Sequence, residues 1–96
     1  MTLESNKRYR QNKRLEILEH YGKICKCCGE TQLEFLTIDH INNDGAQHRR
    51  DLGKGASSYN VWLDIIRNGF PPDFQILCMN CNWAKGKYGK CPHIKT

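Results

Sequence analysis

Ninety-six residues with 39% apolar content are enough for one small core and too few for two independent ones. No apolar run approaches the length of a membrane-spanning helix, and the first twenty residues are charged, without the apolar stretch of a secretory leader. The net charge of +5 is unevenly spread: residues 1–14 carry five Lys/Arg against one Glu, residues 82–96 carry four Lys and no acid, and the middle is left at −3.

Two basic ends around a mildly acidic middle suggest a polyanion gripped from two sides, the duller alternative being tails that keep a small protein in solution. A cytoplasmic, reducing setting is expected, in which the six cysteines serve metal rather than disulfides.

In chain order, Leu3–Tyr21 is predicted as a helix with Leu15, Ile17 and Leu18 as its apolar contacts and Gly22 as its stop. Lys7, Arg8, Arg10, Lys13 and Arg14 crowd its first half, where a frayed arm is the alternative. Residues 1–23 are thus expected as a basic helix or arm ahead of a unit spanning 24–96, the whole folding as one domain. Ile24–Glu30 reads as a metal knuckle, with Gly29 just past its second thiol. Leu33–Ile41 suits a strand through Phe35, Leu36, Thr37 and Ile38. Asn42-Asn43-Asp44-Gly45 is turn chemistry, and a polar stretch containing Gly53 and Gly55 follows. Ser57 or Ser58 then caps a helix over Tyr59–Asn68 that buries Val61, Trp62, Ile65 and Ile66, ended by Gly69 and Pro71-Pro72. Phe74–Leu77 is a short apolar strand, and a second knuckle leads into a helix beginning near Met79–Asn82.

The two Cys-x-x-Cys pairs, Cys25/Cys28 and Cys78/Cys81, carry the most specific signal. One pair alone suits redox chemistry; two beside turns supply the four thiolates of a closed tetrahedral zinc site. Metal binding contributes on the order of 10 kcal/mol of folding free energy to small domains of this kind, which so short a chain needs. Cys28 is preferred over the adjacent Cys27 because it keeps the two-residue spacing and precedes Gly29. Cys27 is then a spare thiol. Cys91-Pro92-His93 is read as a C-terminal strap packed near the zinc, with a part in a second site as the alternative.

Between the knuckles lies Ile38-Asp39-His40-Ile41. An Asp-His pair at a strand end is by default a surface pair or a packed histidine. Here the flanking knuckles would clamp it against the polar helix start at Asn82. Hydrolysis of a phosphodiester needs a base for water, a cation on the developing charge and a positioned leaving oxygen. One histidine, one carboxylate-held divalent ion and a few basic side chains supply them. Adjacent strand residues point to opposite faces, so the strand must end or twist at Asp39-His40 for both to converge, and the Asn42–Gly45 turn permits that. His48, in Gln47-His48-Arg49-Arg50, either reaches the same site or belongs to a solvated basic turn.

The run Leu36-Thr37-Ile38-Asp39-His40-Ile41, with Phe74-Gln75-Ile76-Leu77-Cys78-Met79-Asn80-Cys81-Asn82-Trp83-Ala84-Lys85-Gly86, resembles the HNH endonuclease family, and most the small zinc-stabilised, phage-type members. The likeness covers residues 25–87. It implies an α+β, ββα-metal fold: two strands and a helix around one catalytic divalent ion. It also implies His40 as general base, Asp39 as a metal ligand, Asn82 in the place of the second protein ligand, and Lys85 in the position of that helix's lysine. The chain departs from the family pattern at Asn82, where histidine is usual; an amide oxygen favours Mg²⁺ or Mn²⁺ over softer ions. It departs again at Asp73, where the family's middle asparagine braces the loop around the base. A carboxylate there accepts but cannot donate, so the brace is altered or passes to Asn42 or Asn43. The resemblance suggests a free-standing mobile nuclease or a partner of phage packaging proteins, in the cytoplasm of an infected or prophage-carrying bacterial cell.

The expected function is a metal-dependent endonuclease that nicks duplex DNA as a monomer. Phosphates would be gripped by Lys7, Arg8, Arg10, Lys13, Arg14, Arg49, Arg50, Lys85 and Lys87, and the cofactors would be structural Zn²⁺ and catalytic Mg²⁺ or Mn²⁺. The runner-up is a zinc-ribbon-like nucleic-acid binding module without catalysis, which would have no need of Asp39-His40 opposite Asn82.

Overall fold

The computed structural model describes residues 3–93; Met1, Thr2 and residues 94–96, including Lys95 of the basic C-terminal run, lie outside it. Helix α1 spans Leu3–Tyr21, and its side chains are described from Lys7 onward. Its apolar residues gather in the second half, where Ile17 and Leu18 are both fully buried. Being adjacent on a helix, they point to different sides, and each enters a different part of the core. Leu18 joins Cys25, Leu36, Ile76, Leu77, Cys78, Cys81 and Cys91; Ile17 joins Val61, Ile65 and Phe74. Burial of such side chains stabilises by about 1.5–3 kcal/mol each, so the second half of α1 belongs to the core. The helix stops where the Gly22 and Lys23 amides both bond the Leu18 carbonyl, with Gly22 at φ +110, a conformation that favours glycine.

The first knuckle follows. The Gly29 amide bonds the Cys25 carbonyl at 3.0 Å, and the Lys26 amide bonds the Ile76 carbonyl at 2.9 Å, which fastens the knuckle to the second strand. Strand β1 is Leu36–His40 and pairs antiparallel with β2, Phe74–Cys78, with Ile38 opposite Ile76 and His40 opposite Phe74. The expected strand over 33–41 is shortened at its start, because Leu33–Phe35 forms a single 3-10 turn. Helix α4, Met79–Tyr88, leaves β2 directly and ends at Gly89, which is left-handed at φ 83.

Between the strands runs an excursion with two helices, α2 (Gly45–Leu52) and α3 (Ser58–Arg67). Helix α2 lies where the sequence suggests only polar irregular chain. Helix α3 matches its apolar pattern: Val61 and Ile65 are buried, Trp62 and Ile66 half-buried, and Ser57 and Asn60 form a reciprocal capping box at its start. Among the described residues the result is a small α+β domain with a two-stranded antiparallel sheet, four α-helices and cysteine clusters able to bind zinc. Among the described residues no helix is long and apolar enough to cross a membrane.

Candidate functional site

The knuckle thiols converge. Cys25, Cys28, Cys78 and Cys81 offer sulfurs all within 4.8 Å of one another, with Cys28 and Cys78 at 3.7 Å. A tetrahedral zinc with bonds of about 2.3 Å places its sulfurs about 3.8 Å apart, so the group is sized for such an ion. Its electrostatics point the same way. Burial alone would raise the Cys25 thiol, but backbone N–H groups of Cys28, Cys78 and Cys27 outweigh it and bring it down to about 6. Burial, then hydrogen bonds with the thiols of Cys78, Cys25 and Cys28, push Cys81 far up. Close-packed thiols resist collective ionisation until a cation compensates them.

Apart from the thiols, a cleft of about 420 Å³ has walls that include Asp39, His40, Asn82, Lys85 and Arg49. Asp39 and His40 are the last two residues of β1, and both line this cleft. The turn that follows is left-handed at Asn43, φ 58, and the Asn43 amide bonds the His40 carbonyl at 3.0 Å.

Asp39 is 6% exposed. Its carboxylate accepts from Gln75 Nε2 at 2.8 Å and faces Lys85 Nζ at 3.1 Å. Lys85 also donates to the His40 carbonyl at 3.0 Å and to Asn43 Oδ1. The lysine therefore braces the loop around the histidine from inside the cleft, with its side chain largely buried. Asn43 takes part in that brace, while Asp73 contributes its backbone carbonyl to the Ile41 amide. Asn82 donates its amide nitrogen to Thr37 Oγ1 at 2.7 Å, which leaves the amide oxygen free of that contact. Carboxylate and amide oxygen are hard donors of the kind Mg²⁺ and Mn²⁺ take, with remaining positions for water and phosphate. Both donors suit such an ion in kind, and in this structure the carboxylate is engaged by Lys85 and Gln75.

His40 sits in a second hydrogen-bonded chain. Its Nε2 is 2.8 Å from His48 Nδ1, and His48 Nε2 is 2.8 Å from Asp64 Oδ2. When Asp64 accepts, a neutral His48 donates from Nε2 and offers its Nδ1 lone pair to His40. His40 must then hold its proton on Nε2, which leaves Nδ1 as the basic atom. That atom faces Gly45, where an added methyl carbon would lie 3.1 Å from it. Burial, followed by the neighbouring charge of His48, lowers the pKa of His40 below its ordinary value, against weaker opposing effects of Asp44 and Asp39. Neutral at pH 7, it is a competent proton acceptor.

Of the basic residues expected on phosphate, Lys7, Arg8 and Arg10 are exposed along α1, Arg10 lying 5.3 Å over the Tyr59 ring. Lys13 pairs with Glu16 at 3.7 Å. Arg14 turns inward and donates to the carbonyls of Leu33 and Leu36, tying α1 to the start of β1. Arg49 and Arg50 are exposed on α2, Arg50 bonded to Gln47, and Lys87 lies 5.2 Å from the Trp83 ring. Asp64 was not anticipated; an acid among Val61, Trp62, Ile65 and Ile66 reads as the solvent side of an amphipathic helix. Comparison of the chain with protein-family models, curated proteins and solved structures finds no match.

Proposed function

We propose that the chain is a metal-dependent endonuclease of the HNH type, built on a ββα-metal unit of β1, β2 and α4, that hydrolyses phosphodiester bonds of duplex DNA. The observation that carries the reading is His40: it lines a cleft shared with Asp39 and Asn82, its Nδ1 lies beside Gly45 of the same cleft, and its Nε2 meets His48, which in turn meets Asp64. A histidine kept only for packing needs no such chain behind it.

In this reading DNA lies across the free edge of β1, its phosphates met by Arg49 at the cleft and by Lys7, Arg8 and Arg10 along α1. His40 Nδ1 takes a proton from water as the water oxygen bonds to phosphorus. The 3′ oxygen departs and takes its proton from solvent. The charge gained by His40 is spread through His48 toward Asp64, which favours the protonated form as it arises. A divalent ion on Asp39 and Asn82, when bound, supplies positive charge to the phosphate oxygens. Such a centre cuts one strand, so a monomer nicks.

The pairing of Lys85 with Asp39 favours a second reading, a zinc-stabilised nucleic-acid binding module whose buried acid is neutralised by lysine. Supercoiled plasmid incubated with the protein and Mg²⁺ or Mn²⁺, with and without EDTA, separates the two. The endonuclease converts plasmid to the nicked form, stops with EDTA, and loses about 10²–10⁴-fold of its rate in His40→Ala while DNA affinity holds. Binding without nicking, or nicking untouched in His40→Ala, leaves the binding module.

A further inference from the structure

The four-cysteine group accounts for four of six cysteines. The other two, Cys27 and Cys91, stand with His93 around Cys81, and these four ligand atoms also lie within 4.8 Å of one another. His93 Nδ1 is 3.5 Å from Cys27 Sγ, 3.5 Å from Cys81 Sγ and 3.2 Å from Cys91 Sγ. A tetrahedral zinc with bonds of about 2.3 Å to sulfur and about 2.0–2.1 Å to nitrogen sets sulfur and nitrogen roughly 3.5 Å apart. One ring nitrogen is therefore placed at ligand spacing from three thiols at once.

We propose that the chain holds two zinc ions in one cluster, with the Cys81 thiolate bridging a Cys25/Cys28/Cys78 ion and a Cys27/Cys91/His93 ion. Cys81 is the one residue common to both groups and is fully buried at the start of α4 between them. A thiolate sulfur has lone pairs enough for two metals, and a shared sulfur keeps the ions within about 4.6 Å, twice the bond length. Charge permits it. One zinc with four thiolates carries −2. A second zinc, brought in with two further thiolates and a neutral imidazole, leaves that total unchanged. Every cysteine then has a metal to serve, including the thiol next to Cys28 that the knuckle spacing leaves over.

The second ion also has a mechanical consequence. Cys78 and Cys81 hold the beginning of α4, and Cys91 and His93 follow its Gly89 cap. The cluster thus pins both ends of the helix that presents Asn82 and Lys85 to the cleft.

Native mass spectrometry and elemental analysis of the full-length protein test this, with Co²⁺ titration of the metal-stripped protein as the second measure. The wild type should carry two zinc ions per chain, and its Co²⁺–thiolate absorption should saturate at two equivalents. His93→Ala and Cys91→Ser each remove a ligand of the second ion only, so both should fall to one equivalent and keep the wild-type circular dichroism. One equivalent in the wild type overturns the proposal, as does a count of two that neither substitution lowers. His93→Ala alters an exposed residue outside the core, which keeps the count readable should Cys91→Ser fail to fold.

Discussion

Replacing Asp64 by Asn tests the histidine chain without touching the cleft. The carboxylate accepts from His48 at 2.8 Å, with the side chains of His48 and Asp64 only 14% and 23% exposed, so solvent screens the pair little. A hydrogen bond to an ionised partner is worth roughly 1.5–3 kcal/mol and a neutral one about 0.5–1.5. The substitution therefore removes about 1–2 kcal/mol from the state in which His40 has taken its proton. At 1.36 kcal/mol per tenfold, plasmid nicking should slow by about 5–30-fold, well short of His40→Ala. The pH profile carries the sharper signature. In the proposed mechanism the neutral form of His40 is the active one, and burial lowers its pKa, so the wild-type rate should hold through pH 7 and fall on an acid limb below about 6.5, the ordinary histidine value. Loss of the anion behind His48 makes His40 harder to protonate and moves that limb to still lower pH. The same sign governs stability. A depressed folded-state histidine contributes fully above its unfolded pKa, and the contribution is lost as pH falls through the folded one. Nicking by Asp64→Asn at the wild-type rate with an unmoved acid limb would refute the chain from Asp64 to His40.

Gly45→Ala should lower nicking about tenfold with an unchanged fold, because the new methyl crowds Nδ1 of His40 at 3.1 Å while helix α2 tolerates alanine; rate and circular dichroism measured together check it. Arg14→Ala should destabilise by about 2 kcal/mol in urea unfolding, since its guanidinium serves two carbonyls, yet leave the salt dependence of DNA binding alone. Joint replacement of Lys7, Arg8 and Arg10 by Ala should do the reverse, flattening the slope of log K against log[salt] by about 0.9 for each phosphate no longer neutralised. Cys25→Ser, or prolonged chelation of the wild type, should lower the melting temperature steeply, because binding free energy at such a centre is folding free energy; a melting curve indifferent to chelator would count against a structural ion.

The sequence was most legible where geometry follows from spacing. The two Cys-x-x-Cys pairs, the short apolar run Phe74–Leu77 and the pattern of Val61, Trp62, Ile65 and Ile66 are each carried by residues close together in the chain. Helix α2 was illegible for the opposite reason. Its residues, Gly45-Ala46-Gln47-His48-Arg49-Arg50-Asp51-Leu52, show no apolar period, and what positions His48 is a polar contact at each ring nitrogen, with His40 and Asp64. Such contacts join residues 8 and 16 positions apart, and no local rule pairs them. Arg14 misleads in the same way. In sequence it is one of five basic residues in a run, and only the position of the Leu33 and Leu36 carbonyls distinguishes it from its neighbours.

Lys85 and Asp39 bring the two halves of the site together. A carboxylate 6% exposed is costly to keep ionised without compensation, and Gln75 alone offers one neutral donor. The Lys85 ammonium at 3.1 Å meets that need, and through the His40 carbonyl and Asn43 it also fixes the loop that follows His40. In the proposed enzyme, Asp39 and the Asn82 oxygen would hold the divalent ion, which would supply positive charge to the phosphate, and Lys85 would then be released from the carboxylate. Lysine displaced from Asp39 would remain at the cleft wall, where the incoming phosphate is its natural partner. In that proposal the residue that neutralises the buried acid in the free protein becomes a phosphate contact in the complex.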